Sequence, residues 1–153
     1  CSLRAYLDLT LRKSQAYYNL FTLPSNSKRR RFRQLAPPKD PETGAPMVGW
    51  YPSNQRGKSA CVLVFDRESV LALLSSPEFV RWAIPKTDRS IGWPSIDAAV
   101  ITALKPLGFT EYVHFPSLVQ HVESRSVAGN VGIPQAPSFP GEGADALAYL
   151  AGG

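Results

Sequence analysis

The sequence predicts a mixed α/β domain. Three observations carry this reading. An apolar run of strand length spans 59–65. Two helix-length segments, 67–74 and 96–104, each follow a capping residue. A second β-type run spans 109–115. The chain has 153 residues, one domain's worth and enough to close a core. The succession of elements is too short to set a topology.

The elements follow in order. Residues 3–20 read as a helix, with Leu3, Tyr6, Leu7, Leu9, Leu11 and Tyr17 roughly at helical spacing. Tyr18 to Leu23 reads as a strand that Pro24 ends. Residues 24–58 read as a long loop, basic at Lys28-Arg29-Arg30-Arg31-Phe32-Arg33 and rich in proline afterwards. Trp50-Tyr51 suggests that its second half is pinned down. Residues 59–65 read as a buried strand. Asp66 caps a helix from Arg67 to Leu74, whose Val70, Leu71, Leu73 and Leu74 are expected to face that strand. Pro77 to Ala83 allows another short helix, and 84–94 reads as loop. Ser95 caps a helix from Ile96 to Leu104 that stops near Pro106 and Gly108. After the strand at 109–115 comes a small, polar segment from Ser124 to Asn130. The tail, 131–153, is rich in Pro, Gly and Ala, with a short amphipathic helix at 144–150. No internal repeat is present.

Composition excludes several classes. Hydrophobic residues make up 44% and charged residues 19%, an ordinary globular balance. No run of eighteen apolar residues suggests a membrane span, and Arg4 and Asp8 interrupt the first apolar stretch, so a cytoplasmic location is the expectation. Cys1 and Cys61 make neither a disulfide framework nor a zinc site. The chain begins with Cys rather than Met, which hints at a longer parent or at a processed N-terminus.

Most chemical motifs fail on inspection. Gly57-Lys58-Ser59 resembles the end of a P-loop, but Pro52 stands where the first glycine belongs and a strand follows where a helix is needed. Ser117, His121 and Asp97 make a triad only on paper, with no nucleophile elbow. The net charge of +5 and the cluster Lys28, Arg29, Arg30, Arg31 and Arg33 suit a polyanion, either nucleic acid or an anionic membrane surface. A solvated loop explains the same cluster.

Two residues invite both a functional and a structural reading. A histidine near a strand end is a proton shuttle or metal ligand, or a hydrogen-bonded structural residue. Asp97 opens the 96–104 helix, where the helix dipole alone accounts for a carboxylate. The functional alternative is that Asp97, at the lip of a loop carrying Trp93, acts as a base, though the residues alone favour the dipole reading.

Gly92-Trp93-Pro94-Ser95-Ile96-Asp97-Ala98-Ala99, then Tyr112 to His121 and Arg125-Ser126-x-x-Gly129-Asn130, together resemble the C-terminal half of a GT-A-type nucleotide-sugar glycosyltransferase. Arg4-Ala5-Tyr6-Leu7, the strand at 59–65 and Phe139-Pro140-Gly141-Glu142 resemble further parts of the same family. The resemblance implies a partial GT-A-like mixed sheet with flanking helices, in a single truncated domain over 1–153. It implies His121 as a ligand of a divalent metal, Mn²⁺ or Mg²⁺, with Arg125 and Ser126 beside the nucleotide-sugar donor. Asp97 would be the base that accepts the acceptor's hydroxyl proton. Trp93 and Trp50 would bind substrate. The chain departs from the family in lacking Asp-x-Asp and the N-terminal nucleotide-binding half, and Glu123 stands where a glycine is common. The alternative is a non-catalytic basic module that binds a polyanion.

Overall fold

The computed structural model describes residues 2–23, 35–56, 62–83, 96–120 and 135–151, without the side chains of 81–83. Helix α1 spans Ser2–Thr10, α2 Arg67–Leu74, α3 Pro77–Ala83 and α4 Ile96–Leu104. Strands β1 (Ala16–Asn19), β2 (Gly49–Pro52), β3 (Leu63–Phe65) and β4 (Thr110–Phe115) form one sheet in the order β2-β4-β1-β3. The central pair β1 and β4 is parallel, with Tyr17 opposite Glu111. Both outer strands run antiparallel to their neighbours. The mixed α/β class is therefore correct.

Local chemistry explains most boundaries. Asp66 caps α2 as expected, its carboxylate accepting from the Ser69 amide at 2.7 Å. After α4, a 3₁₀ turn at Lys105–Leu107 ends on Gly108, whose φ of +86° is the left-handed conformation that favours glycine. The Phe109 amide still reaches back to the Leu104 carbonyl, and the chain turns directly into β4. The tail carries a 3₁₀ turn at Ala146–Leu150, capped by Asp145, in place of an α-helix.

Three expectations need correction. The first helix stops at Thr10, not residue 20. The Thr10 hydroxyl donates back to the Tyr6 carbonyl, Gln15 turns the chain at a φ of +47°, and Tyr17 and Tyr18 enter β1. The loop at 24–58 contains β2, so Trp50 and Tyr51 are strand residues. The strand ending at Phe65 lies at a sheet edge and is half-buried, and of the four apolar residues of α2 only Leu73 is buried.

Strand alternation divides the sheet into two faces. Tyr17, Leu63 and Phe65 lie on one face and pack under α2 and α4 with Leu73, Val100, Ile101 and Leu104. Tyr17 and Phe65 stack at 5.6 Å. Tyr18, Tyr112, His114, Trp50 and Val64 lie on the other. There α1 supplies Tyr6, and the tail supplies Ala146 and Tyr149. Both faces are covered, which is why β1 is buried along its whole length.

Candidate functional site

Strand β4 leads toward His121 through a closely tied segment. The Phe115–Pro116 peptide is cis. Ser117 is fully buried, and its hydroxyl oxygen accepts from the Thr22 amide at 3.0 Å and donates toward the Val119 carbonyl at 2.8 Å. The Ser117 amide donates to Ser138 of the tail at 3.1 Å. The Leu118 amide donates to the Leu20 carbonyl at 3.0 Å. Gln120 then clamps the tail with both ends of its amide. Its Nε2 donates to the Ala136 carbonyl and its Oε1 accepts from the Ala136 amide, at 3.2 and 3.0 Å. Serine and glutamine serve here because each makes several bonds to a backbone that has left the sheet ladder.

Beneath this segment sits His114, with no solvent exposure. Its Nδ1 lies 2.7 Å from the Pro116 carbonyl, which only accepts, so Nδ1 carries the proton. Its Nε2, 2.6 Å from Tyr6 Oη, therefore accepts from that hydroxyl in the neutral ring. Trp50 and Tyr6 pack edge-on against the imidazole at 4.9 and 5.3 Å. Burial pushes the imidazole pKa down to about 4, against a smaller upward pull from Pro116. Both ring nitrogens are engaged, so His114 is a hydrogen-bonded structural residue of β4.

A second polar group lies on the opposite face. Glu111 is almost wholly buried, and its carboxyl accepts from Asn19 Nδ2 at 3.1 Å and Ser53 Oγ at 2.6 Å. Burial raises its pKa; the bonds from Ser53 and Asn19 lower it, and the charge of Asp97 raises it further. Gln55 completes the edge beyond β2, bonding both the amide and the carbonyl of Glu111. The neighbouring Tyr17 hydroxyl is buried without a hydrogen-bond partner. Burial raises its pKa, and Glu111 adds to the shift.

The residues singled out in the sequence are distributed as follows. Asp97 lies in the first turn of α4, half-buried, near enough for its charge to be felt at Glu111. Trp50 lies on the other face of the sheet. Its indole N–H donates to Thr10 Oγ1 at 3.0 Å and its ring packs on Tyr18 and His114. Packing therefore accounts for Trp50, and it shares no site with Asp97. His121, Arg125, Ser126, Trp93 and the basic cluster from Lys28 to Arg33 lie outside the described residues, as do Cys1 and Cys61. Among the described residues no three His, Cys, Asp or Glu side chains come together as a metal site. His114 itself has no free ring nitrogen for a metal. Sequence reasoning missed Asn19, Ser53 and Glu111 as a polar core, and Tyr6 as the partner of His114 on the other face. The available signal was a glutamate and an asparagine inside otherwise apolar strands.

A half-open cleft of about 280 Å³ adjoins the tied segment, between the start of α1 and the tail. Leu3, Leu118, Phe139 and Tyr149 form its apolar walls, and Glu142 is its acidic group. Among the described residues no helix is long and apolar enough to cross a membrane. No family model, curated protein or solved structure matches the chain.

Proposed function

We propose that this chain is the C-terminal half of a GT-A-type glycosyltransferase, whose parent transfers a sugar from a nucleotide-sugar donor to a hydroxyl acceptor. The observation that best supports this is the construction of residues 116–120. Ser117 and Gln120 hold the backbone immediately before His121 with bonds to Thr22, Val119 and Ala136. A ligand that must meet a cation within tenths of an ångström needs such a fixed base. In this reading His121 would hold Mn²⁺ or Mg²⁺, and Arg125 and Ser126 would hold the donor phosphates. A bound cation would neutralise charge on the departing diphosphate. Asp97, at the head of α4, takes the proton of the acceptor hydroxyl, and Trp93 walls the acceptor.

Calorimetric titration of the chain with uridine and guanosine diphosphate, with and without Mn²⁺, tests this. Binding that requires Mn²⁺, disappears in His121→Ala and survives in Asp97→Asn is the expected result. Nucleotide binding that ignores Mn²⁺ and His121, falls steeply with salt and is lost when Arg29, Arg30 and Arg31 become Ala would replace this reading with polyanion binding. Absence of any Mn²⁺-dependent binding would also overturn it.

A further inference from the structure

The walls of the cleft between the start of α1 and the tail are fixed from behind. The Leu118 amide donates to the Leu20 carbonyl at 3.0 Å, and the Ser117 amide holds Ser138 at 3.1 Å. The Phe139 amide donates to the Ala136 carbonyl at 3.0 Å, beside the Gln120 clamp. Tyr149 packs against Tyr6 and His114, with ring centres at 6.0 and 5.7 Å. A cleft of fixed shape loses little entropy when something enters it. Leu3, Leu118, Phe139 and Tyr149 make the lining largely apolar. The volume of about 280 Å³ falls just below the roughly 300–1,000 Å³ of pockets that hold drug-sized ligands, so an occupant is small.

One group gives the cleft a sign. Among the described residues Glu142 is the only charged side chain in the lining. A closed turn carries it. The Ala144 amide donates to the Gly141 carbonyl at 3.3 Å, and the φ of +105° at Gly141 favours glycine. Among the described residues the Glu142 carboxylate accepts no hydrogen bond and forms no ion pair. The other tail carboxylate, Asp145, is engaged by the Leu147 amide at 3.0 Å. The amides at the start of α1 pull the other way, since a helix N-terminus carries about half a positive charge. The full charge of a carboxylate outweighs it.

We infer that this cleft binds a small organic amine. Its protonated nitrogen pairs with Glu142, and its ring or short apolar chain fills the space between Leu3, Leu118, Phe139 and Tyr149. A primary ammonium suits the site because its N–H groups donate to a carboxylate. The apolar body supplies most of the affinity, and Glu142 selects the sign of the charge. Glu142 is exposed, so that selection is worth at most about fivefold, the strength of a surface ion pair. The site needs neither nucleotide nor metal and is independent of the glycosyltransferase reading.

Titration of the chain with phenethylamine, phenethyl alcohol and hydrocinnamate, followed by amide shifts in nitrogen–proton NMR spectra, tests it. The three probes share a ring and a short chain and differ in charge. Phenethylamine should shift the amides of Leu3, Leu118 and Glu142 saturably and bind about fivefold more tightly than the alcohol. Hydrocinnamate should bind more weakly than the alcohol. Glu142→Gln, at an exposed position that leaves the fold intact, should bring the amine to the level of the alcohol and leave the alcohol unchanged. No saturable shift at the cleft up to the solubility of the probes overturns the inference. So does equal binding of the three, or an amine preference that survives Glu142→Gln. A preference for hydrocinnamate also overturns it, and would assign the cleft to the start of α1.

Discussion

His114 should make the protein lose stability in mild acid, and His114→Gln should remove that loss. The ring is neutral and fully buried, with its pKa pushed down to about 4 from 6.5. A group whose pKa is depressed on folding contributes stability that is complete above its unfolded pKa. That stability is lost as pH falls through the window between the two values. Here the window runs from about 6.5 down to about 4. At 1.36 kcal/mol per unit, the contribution is roughly 3 kcal/mol across the window. Glu111 acts in the opposite sense. Its pKa is raised by burial, so its contribution is present at low pH and lost as pH rises above the ordinary carboxylate value. Comparing parent and variant at the same pH cancels Glu111 and leaves His114. Urea unfolding at several pH values between 7 and 4 is the assay. Trp50, whose ring centre lies 4.9 Å from the imidazole, is an internal fluorescent reporter. His114→Gln should be less stable than the parent at pH 7, and the gap should narrow by roughly 3 kcal/mol by pH 4. A gap that stays constant would refute the reasoning.

Two further outcomes follow from burial. Tyr17→Phe removes a buried hydroxyl that has no partner while keeping the ring that stacks on Phe65, so it should leave stability unchanged or raise it by about 1 kcal/mol in urea unfolding. Leu104→Ala, at a position with no exposure in the α4 core, should cost about 2–5 kcal/mol, whereas Leu74→Ala on the open face of α2 should change monomer stability by about 0.5 kcal/mol or less; equal costs at the two positions would contradict the assigned core.

The legible parts of this fold were those governed by short-range chemistry. Asp66 ahead of Arg67 and Pro77 at the head of α3 mark where α2 and α3 begin, and the glycine after Leu107 marks where the 3₁₀ turn following α4 stops. The run ending at Phe115 gave β4 nearly to the residue. What sequence reasoning missed depended on distant partners. Tyr17 fits a helical pattern with Leu3 and Tyr6, yet β1 forms because β4, some ninety residues later, supplies its parallel neighbour. Gly49 to Pro52 looks like loop because of its proline, but Pro52 lies at the end of an edge strand, where a missing N–H is tolerated. Val70, Leu71 and Leu74 look like core because an isolated helix gives no sign that only one side is covered. The polar core was hidden for the same reason. Glu111 finds Asn19 and Ser53 only after three separate segments have met.

The clamp that Gln120 places on Ala136 turns the stretch between them into a closed ring. Its two ends are joined by a pair of bonds from one side chain. The entropy of bringing those ends together is met by the scaffold, before anything is held within the ring. Lengthening such a ring is inexpensive, since doubling it adds only about 0.6 kcal/mol. New residues inserted between 121 and 134 should therefore be accepted with little effect on the sheet. Losing the one glutamine should loosen this closure, while the Ser117 amide still holds the tail at Ser138.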